Sequence, residues 1–511
     1  MSLSILDAPL LSVRHPGGQR QQINLPQVLS ALGHGTNIEF TALRNHQQHG
    51  WYAFLVQLGA LAAHRGSALD QPDDAWKKAL LDIAGENENA WQLVVEDLQQ
   101  PAFFQTPVPE DSLKRYGKNT TNPDGIDVLI TSKNFDVKQG LIQHPRPEHW
   151  VYALVTLQTM EGFLGRGNYG VARMNGGFAS RPALAMAPSL GWGQRFLRDV
   201  EIWLEQRPDL SGQHFDYSDN GTALLWTLPW DGKTSRPMSV CDPFFIEVCR
   251  RIRLVDSQGA IELVMAPTDK AFLDTGERRG DTGDVWTPVS DDKKGPTALT
   301  VSGSGFSYQQ MTRILFEGDY VRKPALELRD EDGDEPIVVA QVLVRGQGKT
   351  DGFHQRFIQV PGDVPLLAKQ AELAELAKAR VERAADARRK VLHPALCVLL
   401  QGAPDNLNLR DDKSRPWLDR LDKNIDTIFF ERLWRDANLD REEADKRWDV
   451  ELKKLAVAQL EDALTSAPLG SATRDRAIAR AEITFRGLVR KHLSNAIDIP
   501  IKEEPMESIH L

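Results

Sequence analysis

Residues 361–393 read PGDVPLLAKQAELAELAKARVERAADARRKVLH, and this run decides how the chain divides. Two prolines and a glycine within five residues interrupt any regular element. Behind them Leu373, Leu376, Val381 and Ala384 fall on one helical stripe, set among strong helix formers. That predicts a first helix over 366–393, with His393-Pro394 placed to kink its end. The same period predicts helices over 416–437 (Leu418, Leu421, Ile425, Ile428, Phe429, Leu433), 440–465 (Trp448, Leu452, Leu455) and 471–494 (Ile478, Ala481, Phe485, Leu488). Gly402, Pro404, Pro468 and Gly470 mark the connections. Four amphipathic helices of this length with modest loops predict a four-helix bundle over 365–500, and 501–511 a tail.

Upstream, residues 1–364 read as one large mixed α/β domain, so the fold class is α+β. The apolar stretch WYAFLVQLGALAAH, within 39–65, predicts a buried helix. A further helical region covers 70–99, with Trp76, Leu80, Leu81 and Ile83 on its stripe, and a third helix covers 147–164, with Pro147 in its first turn. From 222 to 360 short β-rich runs (TALLWTLPW, ALTVSGSGF, IVVAQVLV, RFIQV) are split by Gly, Pro and Asp. LELRDEDGDEPIVVAQV reads as a hairpin with an acidic turn. No repeat of 20–50 residues is found.

The chain has 511 residues, 41% apolar and 26% charged, a composition that excludes wholesale disorder. With 61 Lys and Arg against 71 Asp and Glu the net charge is −10, which argues against a wholly basic nucleic-acid binder and leaves local patches to be sought. Segment 365–500 carries 25 basic and 23 acidic residues, a net +2, so the remainder carries −12. On the fourth helix Arg476, Arg480, Arg486, Arg490 and Lys491 share the face opposite the apolar stripe. Such a face can follow a phosphate backbone, or simply be solvated and paired with acidic neighbours. Three cysteines, Cys241, Cys249 and Cys397, allow neither a disulfide framework nor a four-thiolate zinc site. The N-terminus lacks a basic leader region and no apolar run reaches ~18–20 residues, so a cytoplasmic protein without a membrane partner is expected.

Motifs that suggest catalysis fail on context. Gly165-Arg-Gly167-Asn-Tyr-Gly170 matches a dinucleotide fingerprint, but a helical segment precedes it and no acid stands ~20 residues on. Gly346-Gln-Gly348-Lys349-Thr350 resembles the end of a phosphate-binding loop, but Leu343 occupies the first glycine position and a strand follows. His46 with His49, and His144 with His149, lack Cys or carboxylate at metal spacing and read as structural, as do Cys241 and Cys249. No catalytic residue, metal or cofactor is expected.

Three segments look specialised. In 131–140, Lys133, Asn134 and Phe135 put an aromatic beside amide and cation, which suits stacking of an unpaired base, although a surface loop with a buried Phe has the same composition. Asn175-Gly176-Gly177-Phe178 would let backbone amides approach a ligand closely, or be a turn. Glu277-Arg278-Arg279-Gly280 is a basic turn ahead of Trp286.

In this order the segments resemble the CasA family, the large subunit of the type I-E CRISPR surveillance complex, Cascade. The resemblance runs from ILDAPLLSVR and INLPQVL through FTALRNHQQHGWYAFLVQLGALAA, PAFFQT, DVLITSKNFDVK, NGGF, VCDPFF and DVWTP to RGQGKTDG and the terminal bundle. It implies a non-catalytic subunit, partnered by guide RNA, double-stranded target DNA, other Cascade proteins and a recruited helicase–nuclease. It places Lys133, Asn134 and Phe135 at the loop that clasps the guide RNA 5′ handle, and Asn175, Gly176 and Gly177 at a glycine loop against the minor groove. Arg278 or Arg279 falls at the reader of the flanking (protospacer-adjacent) motif. A wedge falls within Gln347–Thr350, where Gln347, Lys349 and Thr350 depart from the family's Asn-Gln pair. A structural scaffold without DNA contact is the alternative; it leaves the Gly-rich, basic character of NGGF, ERRG and RGQGKT without a reason.

Overall fold

Helices Leu25–Gly33 (α1), Asn45–His64 (α2), Asp73–Ile83 (α3), Pro147–Met160 (α4) and Trp192–Leu210 (α5) organise the first part of the chain. The structure, a computed structural model, describes residues 3–109, 113–130, 140–175, 179–212, 214–346, 349–362, 364, 370–410, 412–468, 470 and 473–496. The predicted apolar helix is α2, and it is buried on all sides from His49 to Ala62. Its start slips from 39 to 45 because Glu39–Phe40 pairs as a strand with Val13–Arg14. Around α2 lie α1, α3, α4 and α5, and an aromatic core that includes Trp51, Phe54, Phe103, Phe104 and Trp226. Fully burying side chains of this size stabilises by roughly 1.5–3 kcal/mol each, so the core carries its fold without cross-links.

A three-stranded antiparallel sheet runs 349–359, 337–346, 179–187 in spatial order. The central strand, Ile337–Gly346, is the predicted IVVAQVLV run. Its partner returns as predicted after a two-residue connection, and the pairing register shifts between Val344 and Arg345. Strands Lys118–Thr120, Arg251–Ser257 and Ala260–Ala266 form a second sheet. The acidic hairpin expected over LELRDEDGDEP does not form. Pro324–Leu326 and Asp330–Asp332 are short 3-10 turns, because buried Arg198 on α5 binds Asp332 and exposed Glu205 binds Arg329. Held to α5 by these two ion pairs, the stretch turns instead of running on as a strand. ALTVSGSGF likewise contributes only Ala298 to a strand. The helical reading of 70–99 holds over Asp73–Ile83 and for one turn at Glu88–Trp91.

The chain forms two compact units, Met1–Phe306 with Asp319–Val360, and Ser307–Gly318 with Pro361–Leu511. The short helix Tyr308–Leu315 (α6) therefore belongs with the C-terminal helices, an insertion that a single linear boundary does not anticipate. There Gln370–Asp386 (α7) continues through a π-turn, Ala387–Leu392, into His393–Leu400 (α8). Pro394 does not break the path. Its missing N–H is absorbed where the helix widens, with His393 N–H reaching back five residues to Arg388 O. Arg415–Arg435 (α9), Arg441–Ser466 (α10) and Arg474–His492 (α11) complete the four-helix bundle. Arg380 and Asp436, both fully buried, pair at 2.7 Å, and Trp448 Nε1 donates to Arg380 O. Tyr308 of α6 packs on Phe429 at 4.9 Å between centroids. Among the described residues no helix is long and apolar enough to cross a membrane.

Close approach fixes one residue of α5. Gly193 N donates to Asn37 Oδ1 at 2.9 Å, and a Cβ there would collide with the backbone of Gly35 and Thr36. Gly193→Ala should cost roughly 1–3 kcal/mol by overpacking, read as a lowered urea midpoint at unchanged m-value.

Candidate nucleic-acid interface

The specialised segments of the first unit are best located by what holds their ends. Asp127 stands four residues before 131–139 and is clamped from three sides. His46 Nε2 lies 2.8 Å from its Oδ1, Arg44 Nη1 donates to Oδ2 at 2.8 Å, and Leu129 N donates to Oδ1 at 2.9 Å. Burial pushes the Asp127 carboxyl up, but the His46 bond, the Leu129 amide and Arg44 outweigh it and hold it below the usual range. On the far side, Ile142 N donates to Asp124 Oδ2 at 2.8 Å, and Asn122 Nδ2 donates to Ile142 O. Arg44 also binds Asp124 at 2.5 Å, so one guanidinium on the N-terminus of α2 ties both ends of the segment. Lys133, Asn134 and Phe135 themselves lie outside the described residues. Arg44, His46, Asp124 and Asp127 were invisible as a set in the sequence, where about 80 positions separate the partners.

The sheet hairpin meets the chain that leads into 131–139, at Val128. Thr350 is fully buried, and its hydroxyl donates to Val128 O at 2.6 Å while accepting from Arg345. Arg345 Nη1 donates to the same carbonyl at 3.1 Å, and Nη2 to Glu161 Oε1 at 2.8 Å. Thr350, expected among the wedge residues, is thus part of the hairpin's support. Gln347 and the Lys349 side chain lie outside the described residues.

Glu161 ends α4 and leads into the turn Gly162–Gly170. Arg250 sits beneath that turn, its Nη2 donating to Gly162 O at 2.8 Å, with Nε 3.2 Å from Glu161 Oε2. Asn168 N closes the turn on Gly165 O at 3.0 Å, and Thr268 fixes its far limb through Gly167 O and Tyr169 O. Gly165 (φ +117°) and Gly167 (φ +82°) take backbone conformations that other residues rarely adopt. Phe163, 57% exposed, lies against Tyr169 at 5.0 Å, and Arg166 is exposed between the glycines. In sequence the run fails as a dinucleotide motif; what marks it as a surface is a pair of glycines flanking a cation, with an aromatic on either side. A Cβ on Gly162 would strike Asn175, which places Asn175 beside the turn. Gly176 and Gly177 lie outside the described residues. Arg173 is no surface cation; it is enclosed by Phe245 and Trp203 and donates to Phe245 O and Pro243 O.

Met174 (φ +56°) bonds Thr282 in both directions, through its N–H to Oγ1 and from Thr282 N to its sulfur. Thr282 ends the basic turn, so Asn175 and the Arg278–Arg279 pair share one anchor. The two arginines line a cleft of about 750 Å³ with His214, Asp216, Lys294 and Asp274. Arg278 is committed inward, donating to His214 O at 2.7 Å and Phe215 O at 2.9 Å across the Phe215 ring. Arg279 instead makes a bidentate pair with Asp292 at 2.7 and 2.9 Å, and a third of its side chain is exposed. Arg278 also meets the exposed Asp216 at 3.4 Å and Arg279 also donates to Gly295 O at 3.1 Å, so what separates the two is exposure, 19% of the side chain for Arg278 against 33% for Arg279.

The bundle's basic face is less uniform than its sequence. Arg476 and Arg480 reach Gly402 O and Ala403 O, capping the chain after α8, while Arg486 pairs with Glu482 at 3.4 Å. Arg490 and Lys491 are exposed, and Arg486 and Arg490 edge an apolar groove of about 370 Å³ with Lys453, Leu460, Phe485 and Val489. The buried stripe is Ala477, Ala481, Phe485 and Val489, turned slightly from the expected one. The histidine pair on α2 is structural: His49 Nε2 bonds Arg181 O at 2.7 Å, and burial, with Arg181 nearby, holds its pKa at about 3. Among the described residues no group of three or more metal-type side chains gathers.

Arg279 draws the Asp292 carboxyl down to about 2, with the Lys294 amide helping. The pair is therefore complete at neutral pH and opens only as pH falls towards 2. Carboxyl carbon NMR should find Asp292 titrating near that value, and Arg279→Gln should return it towards ~3.9.

No family model and no curated protein matches the chain. Solved structures do. Cse1, a CRISPR-associated protein from Acidimicrobium ferrooxidans, superposes with a TM-score of 0.66 at 15% identity, over 97% of this chain and 99% of that one. Cse1 from Thermobifida fusca gives 0.66 at 14% identity over 97% and 99%. CasA from Thermus thermophilus gives 0.62 at 14% identity over 96% and 100%. The chain has the Cse1/CasA fold along essentially its whole length.

Proposed function

We propose, from a Cse1/CasA fold that spans the whole chain, that this protein is the large, non-catalytic subunit of a Cascade-type RNA-guided surveillance complex. The observation that carries the reading is local: the chain flanking 131–139, the Gly162–Gly170 turn with Asn175, and the hairpin tip are joined through Arg345, Glu161 and Arg250. Segment 131–140, with Lys133, Asn134 and Phe135, holds the guide RNA handle. The exposed turn around Arg166, together with Asn175, Gly176 and Gly177, approaches the minor groove of the flanking duplex. That groove offers a degenerate pattern, so backbone amides and one or two cations suffice to recognise a short motif. Arg279, a third of its side chain exposed and held by the surface carboxylate of Asp292 and by Gly295 O, is the motif-reading cation; Arg278 shapes its cleft. The tip residues Gln347 and Lys349, which precede the buried Thr350 in the chain, promote opening, and guide pairing takes over sequence recognition beyond them. The exposed end of α11, Arg486, Arg490 and Lys491, serves a partner or strand contact, and the complex recruits a helicase–nuclease.

The deciding experiment is reconstitution with guide RNA and the remaining subunits, followed by binding to target duplexes whose flanking trinucleotide is randomised. A defined subset of flanks should be enriched; equal binding of all flanks refutes motif reading. Phe135→Ala should weaken retention of the RNA handle by about 1–3 kcal/mol if the ring stacks on a base, measured by competition during assembly.

Arg166→Gln should weaken motif-bearing and motif-free duplexes alike and reduce the salt slope by about one. Arg279→Gln should act mainly on motif-bearing duplex. Filter binding across a salt series separates the two.

A further inference from the structure

Glu161 stands between two buried cations that serve different segments. Its Oε1 takes Arg345 Nη2 at 2.8 Å, and its Oε2 takes Arg250 Nε at 3.2 Å. Arg345 uses its other terminal nitrogen, Nη1, on both Val128 O and the Thr350 hydroxyl at the base of the hairpin tip. Arg250 uses its own on Gly162 O and Cys249 O beneath the glycine turn. All three side chains are nearly inaccessible, and the residues around them are fixed in turn. Gln158 on α4 accepts from the amides of Cys249 and Arg250, and Val128, Leu129, Met160 and Leu343 pack beside the group. Two buried guanidiniums with one carboxylate leave a net positive charge, so neither arginine can turn away from Glu161 without a large desolvation loss.

We propose that Glu161 is a positioning residue that couples recognition of the flanking duplex at the glycine turn to strand opening at the hairpin tip. The coupling is mechanical and electrostatic. A load on the Gly162–Gly170 turn is borne by Arg250, passes to the shared carboxylate, and reaches the tip through Arg345 and Thr350. Val128 brings the chain leading into 131–139 onto the same cluster. The inference deepens the function proposed above and depends on its assignments of the turn and the tip.

The test uses the assembled complex with guide RNA. Opening is followed by 2-aminopurine fluorescence at the first target base pairs, and binding is measured in parallel on a pre-opened bubble target. Glu161→Gln keeps size and polarity but removes the charge that both arginines share. Opening of paired target should slow at least tenfold while bubble binding stays within twofold of wild type. Arg345→Lys, which keeps the cation but loses the fork, should act in the same direction and carries the test if Glu161→Gln does not fold. Arg380→Met, in the bundle, controls for lost stability alone. Replacing 347–349 by alanines, which leaves the buried Thr350 in place, should slow opening, and adding Glu161→Gln to that replacement should slow it no further. If Glu161→Gln and Arg345→Lys slow opening no more than Arg380→Met while the tip replacement does slow it, the coupling is refuted and the tip assignment stands. If the tip replacement opens DNA at the wild-type rate, the tip assignment falls and the coupling with it.

Discussion

Moving a guanidinium out of water costs several kcal/mol unless carboxylates and carbonyls replace its hydration, and the first unit does this repeatedly. Arg181 donates to Asp284 at 2.8 Å and to Gln57 at 2.9 Å, with Gln57 on α2 reaching the carbonyls of Phe244 and Phe245. Arg207 forks onto Asp242, and Arg198 reaches Asp332 and the carbonyls of Ala325 and Glu327. Such pairs add little net stability, but they are demanding about geometry. A planar fork accepts only a narrow range of partner positions. An apolar core of similar volume would tolerate sliding; these arginines do not. They join segments far apart in sequence and leave each in one place. The Arg345–Glu161–Arg250 cluster is the instance that reaches the candidate interface.

On the proposed reading, this is how a chain with a net charge of −10 would present a nucleic-acid surface. Many cations of the first unit are consumed internally, Arg173, Arg250 and Arg278 among them. Arg166 and Arg279 face outward and are mounted on constrained backbone: Arg166 between two positive-φ glycines, Arg279 itself at φ +50°. A loop already held in its binding conformation has little ordering entropy left to lose on binding. Sparse charge on fixed turns favours discrimination, whereas a continuous basic stripe favours indiscriminate affinity. The α11 face, with Arg476 and Arg480 turned onto carbonyls, departs from such a stripe in the same way.

The sequence was most legible where one residue's neighbours in space are its neighbours in the chain. The period of Leu373, Leu376 and Ala384, or of Leu421, Ile425 and Phe429, is a local signal, and the helices follow it. The β-rich run IVVAQVLV marks a strand, and both of its neighbours in the sheet are strands. Legibility failed wherever a distant partner decided. Arg329 and Asp332 look like turn residues until Arg198 and Glu205 on α5 are brought to them. Residues 307–318 look like part of a β-rich run, yet Tyr308 packs on Phe429 and its amide meets Asp426 at 2.5 Å. Thr350 looks like a polar tip because nothing nearby reveals that Val128 O, 222 positions away, takes its hydroxyl. The glycine turn is another such case: no neighbour in the chain shows that Phe163 and Arg166 reach the surface.

The position of Thr350 bears on how a wedge could work at all. Separating a base step costs a few kcal/mol, and a tip can supply that only if the load is not lost in bending its own support. Strands 337–346 and 349–359 are braced on one side by 179–187, but the pairing register shifts between Val344 and Arg345, the place where a ribbon would hinge. Arg345 and Thr350 occupy the two strands at that hinge, and both are bound to Val128 O. A third segment therefore stiffens the hairpin where its own ladder is weakest. On the proposed reading, a threonine at the tip's surface would add one more polar group to the opened step. Buried at the hinge, it lets Gln347 and Lys349 act against something rigid.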